Sequence, residues 1–146
     1  MEVRRFAPHH LDHIVIRDFE SREIDLLSEY RAKLRDLPDV YTLLKDGRVV
    51  VIVGMHLQWP GMAEGFMITT PLVEHYPIAF HKAMLRGIHT LATRRNLRRI
   101  QVVIHAAHPT SHKWITRLGF RCEGLMELYG PDGSDYIRYA RIWRGK

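Results

Sequence analysis

Histidines supply the spacing in this chain that comes nearest to metal chemistry. His105, His108 and His112 are three and four residues apart, a separation that places side chains on one face of a helix. Pro109, however, favours a helix start at that point, so the three histidines span a strand end and a first helical turn. A second group is equally loose: His9, His10 and His13. A structural zinc site needs four converging ligands, so the sequence predicts no metal, and these histidines are expected to cap helices or lie at the surface.

The chain is basic, with a formal net charge of +6. The densest run is TRRNLRR, which contains Arg94, Arg95, Arg98 and Arg99. Cations at the end of a helix complement its dipole, which is the plainest role for this run. A basic surface also attracts an acidic protein surface, or nucleic acid in a non-specific and salt-sensitive way. No recognition element accompanies the charge, so specific nucleic-acid binding is not predicted.

Length and composition favour one globular domain over residues 1–146. The 146 residues suffice for a single core, and 46% hydrophobic with 26% charged residues is an ordinary globular composition. No apolar run approaches the roughly 20 residues of a membrane span. The N-terminal MEVRRFAPHH has no apolar core of a secretory signal, so we expect the chain to stay where it is made. A single cysteine, Cys122, cannot form an internal disulfide and fits a reducing compartment.

Apolar periodicity and turn residues divide the first half of the chain into strands and helices. The predicted elements are a strand at 2–6, a helix-prone passage at 7–13, a helix within 22–37, and strands at 40–44, 48–57 and 64–70. Asp46-Gly47 predicts a tight hairpin turn, and Pro60-Gly61 predicts a second turn. The strand at 48–57 is apolar without alternation, which predicts a central position covered on both faces.

The second half begins with the longest helix, about 77–95, whose Pro77 suits a first turn. Its predicted apolar stripe is Ile78, Met84, Leu85, Ile88 and Leu91. A strand at 99–105, a helix at 109–118 and a hairpin of strands 121–129 and 135–143 follow. Gly119 is the expected stop of the second helix.

The segment His108–Phe120, HPTSHKWITRLGF, resembles the last helix of the Gcn5-related N-acetyltransferase (GNAT) fold. The order of predicted elements also matches that fold over nearly the whole chain. The resemblance implies an α/β (α+β) protein of the acyl-CoA N-acyltransferase type. Its central mixed sheet would have about six to seven strands flanked by helices.

In that family a Q/R-x-x-G-x-G/A loop binds the pyrophosphate of acetyl-CoA at the N-terminus of the long helix. The resemblance places this loop on Tyr76, Pro77, Ile78, Ala79, Phe80 and His81. Tyr76 replaces the polar first residue, Ala79 the first glycine and His81 the last small residue. Lys82 and His81 supply charge, but side chains do not replace a backbone cradle. The resemblance therefore implies a degenerate cofactor site and no bound cofactor.

Many family members carry a tyrosine four residues before the Gly-Phe pair, where its hydroxyl protonates the leaving thiolate of coenzyme A. That position is Ile115 here, and the indole of the adjacent Trp114 is no comparable acid. The family's asparagine is His108, while Ser111 keeps a small residue. Three tyrosines of the closing hairpin remain alternative acids: Tyr129, Tyr136 and Tyr139.

The family's base commonly lies on the strands that lead to the cleft, which makes Glu64 and His56 the candidates. Each also has a plain role. Glu64 follows a turn and fits a solvated strand start, and His56 fits a strand histidine with one wet face. Spacing alone does not decide between a catalytic and a structural role.

A second resemblance covers mainly the C-terminal half. FMITTPLVEHYPIAFHKAML and HPTSHKWITRLGF resemble small proteins of tailed bacteriophages related to the minor internal virion protein of T7-like phages, including Thr110-Ser111-His112. It implies a virion-associated or assembly role through other virion proteins, in the virion or the host cytoplasm. Trp59-Pro60, His9-His10 and the basic run are candidate contact surfaces. The alternative is an active N-acetyltransferase that transfers acetyl from acetyl-CoA to an amine.

Overall fold

The computed structural model describes residues 1–12 and 33–144. Its strands in this part of the chain are β1 (Glu2–Arg5), β2 (Asp39–Lys45), β3 (Arg48–Trp59), β4 (Met62–Thr69), β5 (Arg99–His105), β6 (Arg121–Met126) and β7 (Tyr136–Ile142). They form a seven-stranded sheet in the order β1-β2-β3-β4-β5-β7-β6. The β4–β5 pair is parallel, and β5–β7 and β6–β7 are antiparallel. The predicted mixed sheet is confirmed.

Two α-helices lie in the described residues, α1 (Pro77–Arg94) and α2 (Pro109–Arg117). Each begins at a proline, as the sequence predicted, because the missing N–H has no intrahelical partner in a first turn. Two 3₁₀ helices cover Pro8–Leu11 and Pro71–His75. The helix predicted within 22–37 lies mostly outside the described residues, and 33–36 are helical. His13 also lies outside them.

The chain forms two compact units. Unit 1 comprises Met1–His56 and Phe66–Ala83, and unit 2 comprises Leu57–Gly65 and Met84–Lys146. Each unit is built around its own part of the sheet, β1 and β2 in unit 1 and β5, β6 and β7 in unit 2. The assignment of 1–146 to a single domain stays a prediction.

The core of unit 1 packs around the middle of β3. Phe6, Leu11, Val40, Ile52 and Ile68 belong to one buried cluster. Burial continues along β3 to Met55 but not beyond, since its last four residues, 56–59, are exposed. In the register of this pair, β2 begins at Asp39 opposite Met55, so residues 56–59 extend past the start of β2. The prediction of two covered faces is confirmed for the middle of the strand and wrong for its end.

The turn between β2 and β3 has the predicted backbone. Asp46 and Gly47 have φ angles of 52° and 77°. Two consecutive residues in the left-handed region are what a two-residue hairpin of type I′ requires. Local sequence therefore sets the pairing next to the turn, Lys45 with Arg48 and Leu44 with Val49, and the register shifts between Leu43 and Leu44.

The apolar stripe of α1 differs from the predicted one. Ile78 is 72% exposed and Leu85 36% exposed, so the prediction was wrong for both. The buried positions are Phe80, Met84 and Ala92, which follow one another at multiples of four residues and so share a face. Ile78 precedes Phe80 by two residues and points away from that face.

Candidate functional site

The first turn of α1, in unit 1, contains the residues to which the cofactor motif was assigned. The Phe80 N–H donates to the carbonyl oxygen of Tyr76 at 2.9 Å, so regular helical bonding begins at once. Pro77 has no N–H. The first N–H groups of a helix have no partner within the helix. In this turn, the N–H groups left in that position are those of Ile78 and Ala79.

The side chains of this turn point in different directions. Phe80 is buried, with 4% exposure, while Ala79 and Lys82 are exposed. His81 is half-buried. The ammonium of Lys45 lies 5.9 Å from the centroid of the Tyr76 ring, a cation–π contact. Tyr76 thus contacts the end of β2 within unit 1.

Glu64 occupies a polar environment in unit 2. It lies opposite Gln101 in the parallel register of β4 and β5. Burial raises the pKa of its carboxyl group, and the Gln101 hydrogen bond and the charges of Arg138 and Arg99 partly offset this. Among the candidate catalytic residues, Glu64 is thus held in a half-buried setting that favours its protonated form.

Arg99 organises the polar groups around Glu64. Its Nε and Nη2 donate to Gln101 Oε1 at 3.1 and 3.0 Å, and its Nη1 donates to Glu123 Oε2 at 2.9 Å. A second contact joins Arg99 Nη2 and Glu123 Oε1. The hydrogen bond from Arg99 lowers the pKa of Glu123. Because the Gln101 oxygen faces Arg99, its amide NH₂ is the group that donates to Glu64.

The other two candidates lie in plainer settings. His56 is exposed at the end of the unit 1 part of β3. Tyr129 follows β6, is 50% exposed, and packs edge-on against Tyr136 with ring centroids 5.4 Å apart.

His112, on the first turn of α2, is tied to the sheet of unit 2. Its Nε2 lies 3.1 Å from the carbonyl oxygens of both His105 and Ala106. Carbonyls only accept, so Nε2 carries the hydrogen and Nδ1 accepts. The Tyr139 hydroxyl therefore donates to Nδ1, across 2.8 Å. Sequence reasoning missed this pair, because 27 residues separate its members and no local pattern links them.

Tyr139 is the hairpin tyrosine whose hydroxyl is hydrogen-bonded to His112. Burial, followed by the charge of Cys122, raises the pKa of its hydroxyl. Ile115, at the position of the family's acid, is 5% exposed and packs in the core. The α2 segment thus presents a buried aliphatic side chain at that position.

Histidines also cluster near the end of β5. The His105 ring lies 4.9 Å from that of His108 and 5.3 Å from that of Tyr136. Its Nδ1 accepts from the Ala107 N–H at 3.1 Å. Among the residues of 1–12 and 33–144, no three His, Cys, Asp or Glu side chains are arranged to hold a metal ion.

None of the helices in the described ranges combines the length and apolar character needed to cross a membrane.

The sequence matches no protein-family profile and no curated protein. Solved structures do match. The Ard1 protein of Thermoplasma volcanium superposes with a TM-score of 0.77 at 12% identity, over 99% of this chain and 98% of that one. A GNAT-family acetyltransferase from Bacillus anthracis gives 0.73 at 16% identity, over 96% and 93%. The spermidine N-acetyltransferase of Vibrio cholerae gives 0.71 at 14% identity, over 97% and 95%.

Each match covers nearly the full length of both compared chains, so the similarity extends over the whole fold. Identities of 12 to 16% carry the fold and nothing finer. The chain therefore has a GNAT-like α+β fold, with a seven-stranded mixed sheet flanked by helices.

Proposed function

We propose that this protein is a GNAT-fold component of tailed-phage particles, or of their assembly, that works through contacts with other virion proteins and without acetyl-CoA chemistry. The observation that carries the proposal is the first turn of α1. Pro77 has no N–H and the Phe80 N–H is bonded to Tyr76. The turn that would hold the cofactor is thereby left with few donors.

A pyrophosphate does not fit this turn. Binding at a helix N-terminus uses several converging backbone N–H groups, and glycines let the phosphate oxygens approach them. Here two amides remain, the Cβ of Ala79 occupies the place of the first glycine, and the imidazole of His81 occupies that of the last small residue. Lys82 contributes charge without that geometry. We therefore propose that no acetyl-CoA is held.

The α2 segment supports the same proposal independently. The buried side chain of Ile115 has no ionisable proton to give to a thiolate. The two departures lie in different units and involve different chemical requirements. Loss of both is expected when a fold is retained for its surface rather than for acyl transfer.

The phage role is supported by the resemblance of FMITTPLVEHYPIAFHKAML and HPTSHKWITRLGF to small virion proteins of T7-like phages. It is tested by quantitative mass spectrometry of density-purified particles of the phage that encodes the chain. The proposal predicts a constant copy number per particle. Absence from both particles and assembly intermediates would contradict it.

One observation favours a second candidate, an active N-acetyltransferase that uses acetyl-CoA and an amine. Burial raises the pKa of Glu64 and Gln101 orients it, and a base works best when its pKa lies near the operating pH. The test is acetyl transfer to spermidine and to alanine-terminated peptides. Turnover lost in Glu64→Gln but kept in the exposed control Glu74→Gln would establish this candidate and overturn the first.

A further inference from the structure

Three chain segments meet at Arg98 in unit 2. The Arg98 N–H donates to the Gly61 carbonyl oxygen at 2.8 Å, and the Trp143 N–H donates to the Arg98 carbonyl oxygen at 2.9 Å. The β3–β4 turn, the loop after α1 and the end of β7 are thereby joined. Gly61 has a φ of 89°, and a Cβ there would lie 2.5 Å from Arg98 Nη1. The positive φ favours glycine at this turn, which the Arg98 guanidinium crosses.

The meeting point is strongly basic. The segments 57–63, 94–99 and 141–144 contain six arginines and no Asp or Glu. Arg99 is bonded to Glu123. Arg94, Arg95, Arg98 and Arg144 are exposed. We call these three segments the basic-aromatic end.

Two exposed apolar side chains lie on the β3 part of this surface. Trp59 is 56% exposed and Leu57 41% exposed. They are two residues apart along β3 and so lie on the same face of the strand. The indole of Trp143 is in contact with Arg141, whose guanidinium lies 4.9 Å from the ring centroid. The same guanidinium donates to the Leu118 carbonyl oxygen at 3.1 Å.

We propose that the basic-aromatic end binds an acidic segment of another protein, in which carboxylates surround one or two large apolar residues. An exposed tryptophan and leucine on one strand face, next to the turn at which Arg98 is hydrogen-bonded to Gly61, match the composition of a protein-binding hot spot. Arginine forks match carboxylates in a bidentate way. A strand of nucleic acid would instead call for several spaced rings on which bases stack, and here Trp59 has an aliphatic neighbour. The inference deepens the proposed function, because it names the surface and the partner chemistry.

The test uses fluorescein-labelled peptides of defined sequence. The probe DEDLFEDLED carries acids around apolar residues, and DEDSSEDSED keeps the charge without them. By fluorescence anisotropy we expect the first to bind at least about tenfold more tightly than the second, because the apolar residues supply affinity. Trp59→Ala and Arg98→Ala are each expected to weaken the first peptide by about tenfold. The matched controls Leu128→Ala and Arg5→Ala, at exposed positions, are expected to leave it unchanged.

Other outcomes overturn the inference. Equal binding of the two peptides would show that apolar residues contribute nothing to affinity. If neither peptide bound, the basic-aromatic end would not be a site for acidic segments. Oligo-dT or phosphatidylserine vesicles binding through Trp59 and Arg98 while the peptides do not would identify a different partner class. Particle association is measured separately, so its failure beside peptide binding would overturn the phage role and leave this surface in place.

Discussion

The two units use their polar side chains differently. In unit 1 the buried polar groups are bonded inward. His10 Nδ1 accepts from the Ala7 N–H at 3.0 Å and pairs with Thr42 Oγ1 at 2.8 Å. Thr70 Oγ1 donates to carbonyl oxygens of β3, at 2.9 Å for Val50. These bonds satisfy groups that would be costly to bury alone.

Unit 2 also has a set of exposed charged side chains. The Arg99–Glu123 pair remains 25% and 36% exposed at its side chains. Four arginines of the basic-aromatic end, Arg94, Arg95, Arg98 and Arg144, are exposed as well. Polar groups that satisfy the interior stabilise a fold, whereas those at a surface are available to partners. Binding is therefore expected to depend on unit 2, and stability to depend strongly on the core of unit 1.

The largest expected effect is on the core of unit 1. Ile52 is fully buried, so Ile52→Ala should lower the free energy of unfolding by about 3 kcal/mol through lost burial and a cavity. Leu57→Ala, in unit 2, should cost less than about 1 kcal/mol because the side chain is exposed. Urea denaturation of both variants makes the comparison. Equal losses would contradict the assignment of stability to this core.

The His112–Tyr139 pair is an inward-facing contact in unit 2. Tyr139→Phe should cost about 1 kcal/mol, since it leaves Nδ1 of His112 without its donor. A double-mutant cycle with His112→Ala should give a coupling energy of about 1 kcal/mol. Additive effects in that cycle would mean that the hydrogen bond contributes nothing to stability.

Two substitutions on α1 should act in opposite directions. Gly87 is helical and a Cβ there meets nothing within 4 Å, so Gly87→Ala should stabilise by about 0.5 to 1 kcal/mol. Ala79→Gly should destabilise by a similar or smaller amount, and acetyl-CoA binding should not appear. Thermal melts with and without ligand test both. A ligand-dependent rise in Tm for Ala79→Gly would revive the cofactor site.

The stability of the protein should depend on pH in opposite directions at His10, in unit 1, and at Glu64, in unit 2. Burial, with the charges of His9 and Arg4, lowers the pKa of His10 below its ordinary value of 6.5. The neutral form is therefore favoured by folding, and this stability is present above pH 6.5 and is lost as pH falls toward the folded pKa. His10→Gln should flatten the fall in Tm below pH 6.5, whereas His89→Gln, at an exposed position, should not.

Glu64 should act in the opposite direction. Its pKa is raised above 4.5 in the folded state, so the folded protein retains its proton longer than the unfolded chain. Stability should fall as pH rises from 4.5 through the folded pKa. Glu64→Gln should remove that part of the slope in a Tm series. An unchanged slope would mean that burial of this carboxyl has no measurable effect.

Local signals explain why much of the fold was predictable. Asp46-Gly47 and Gly119, with φ of 89°, mark backbone that few other residues adopt. Pro77 and Pro109 mark helix starts. Each of these signals depends on only a few neighbouring residues, so it can be read from the sequence without knowing the tertiary structure. The mixed sheet of about six to seven strands was expected only from the resemblance to a known fold.

Contacts between distant segments were not predictable. The burial of Phe80 and the exposure of Ile78 depend on what packs against α1, which periodicity alone does not specify. His112 meets Tyr139, and Arg98 meets Gly61 and Trp143, across long stretches of sequence. The assignment of Glu64 as a candidate was possible from its strand, but the surrounding arginines and Gln101 required the sheet register.

We propose that the protein keeps the GNAT-like fold but does not bind acetyl-CoA. Calorimetric titration with acetyl-CoA and with coenzyme A, at near-physiological salt and micromolar protein, tests it most directly. We predict no saturable heat and no thermal stabilisation at millimolar ligand. Saturable binding of either ligand to the native sequence would contradict the claim and favour the acetyltransferase.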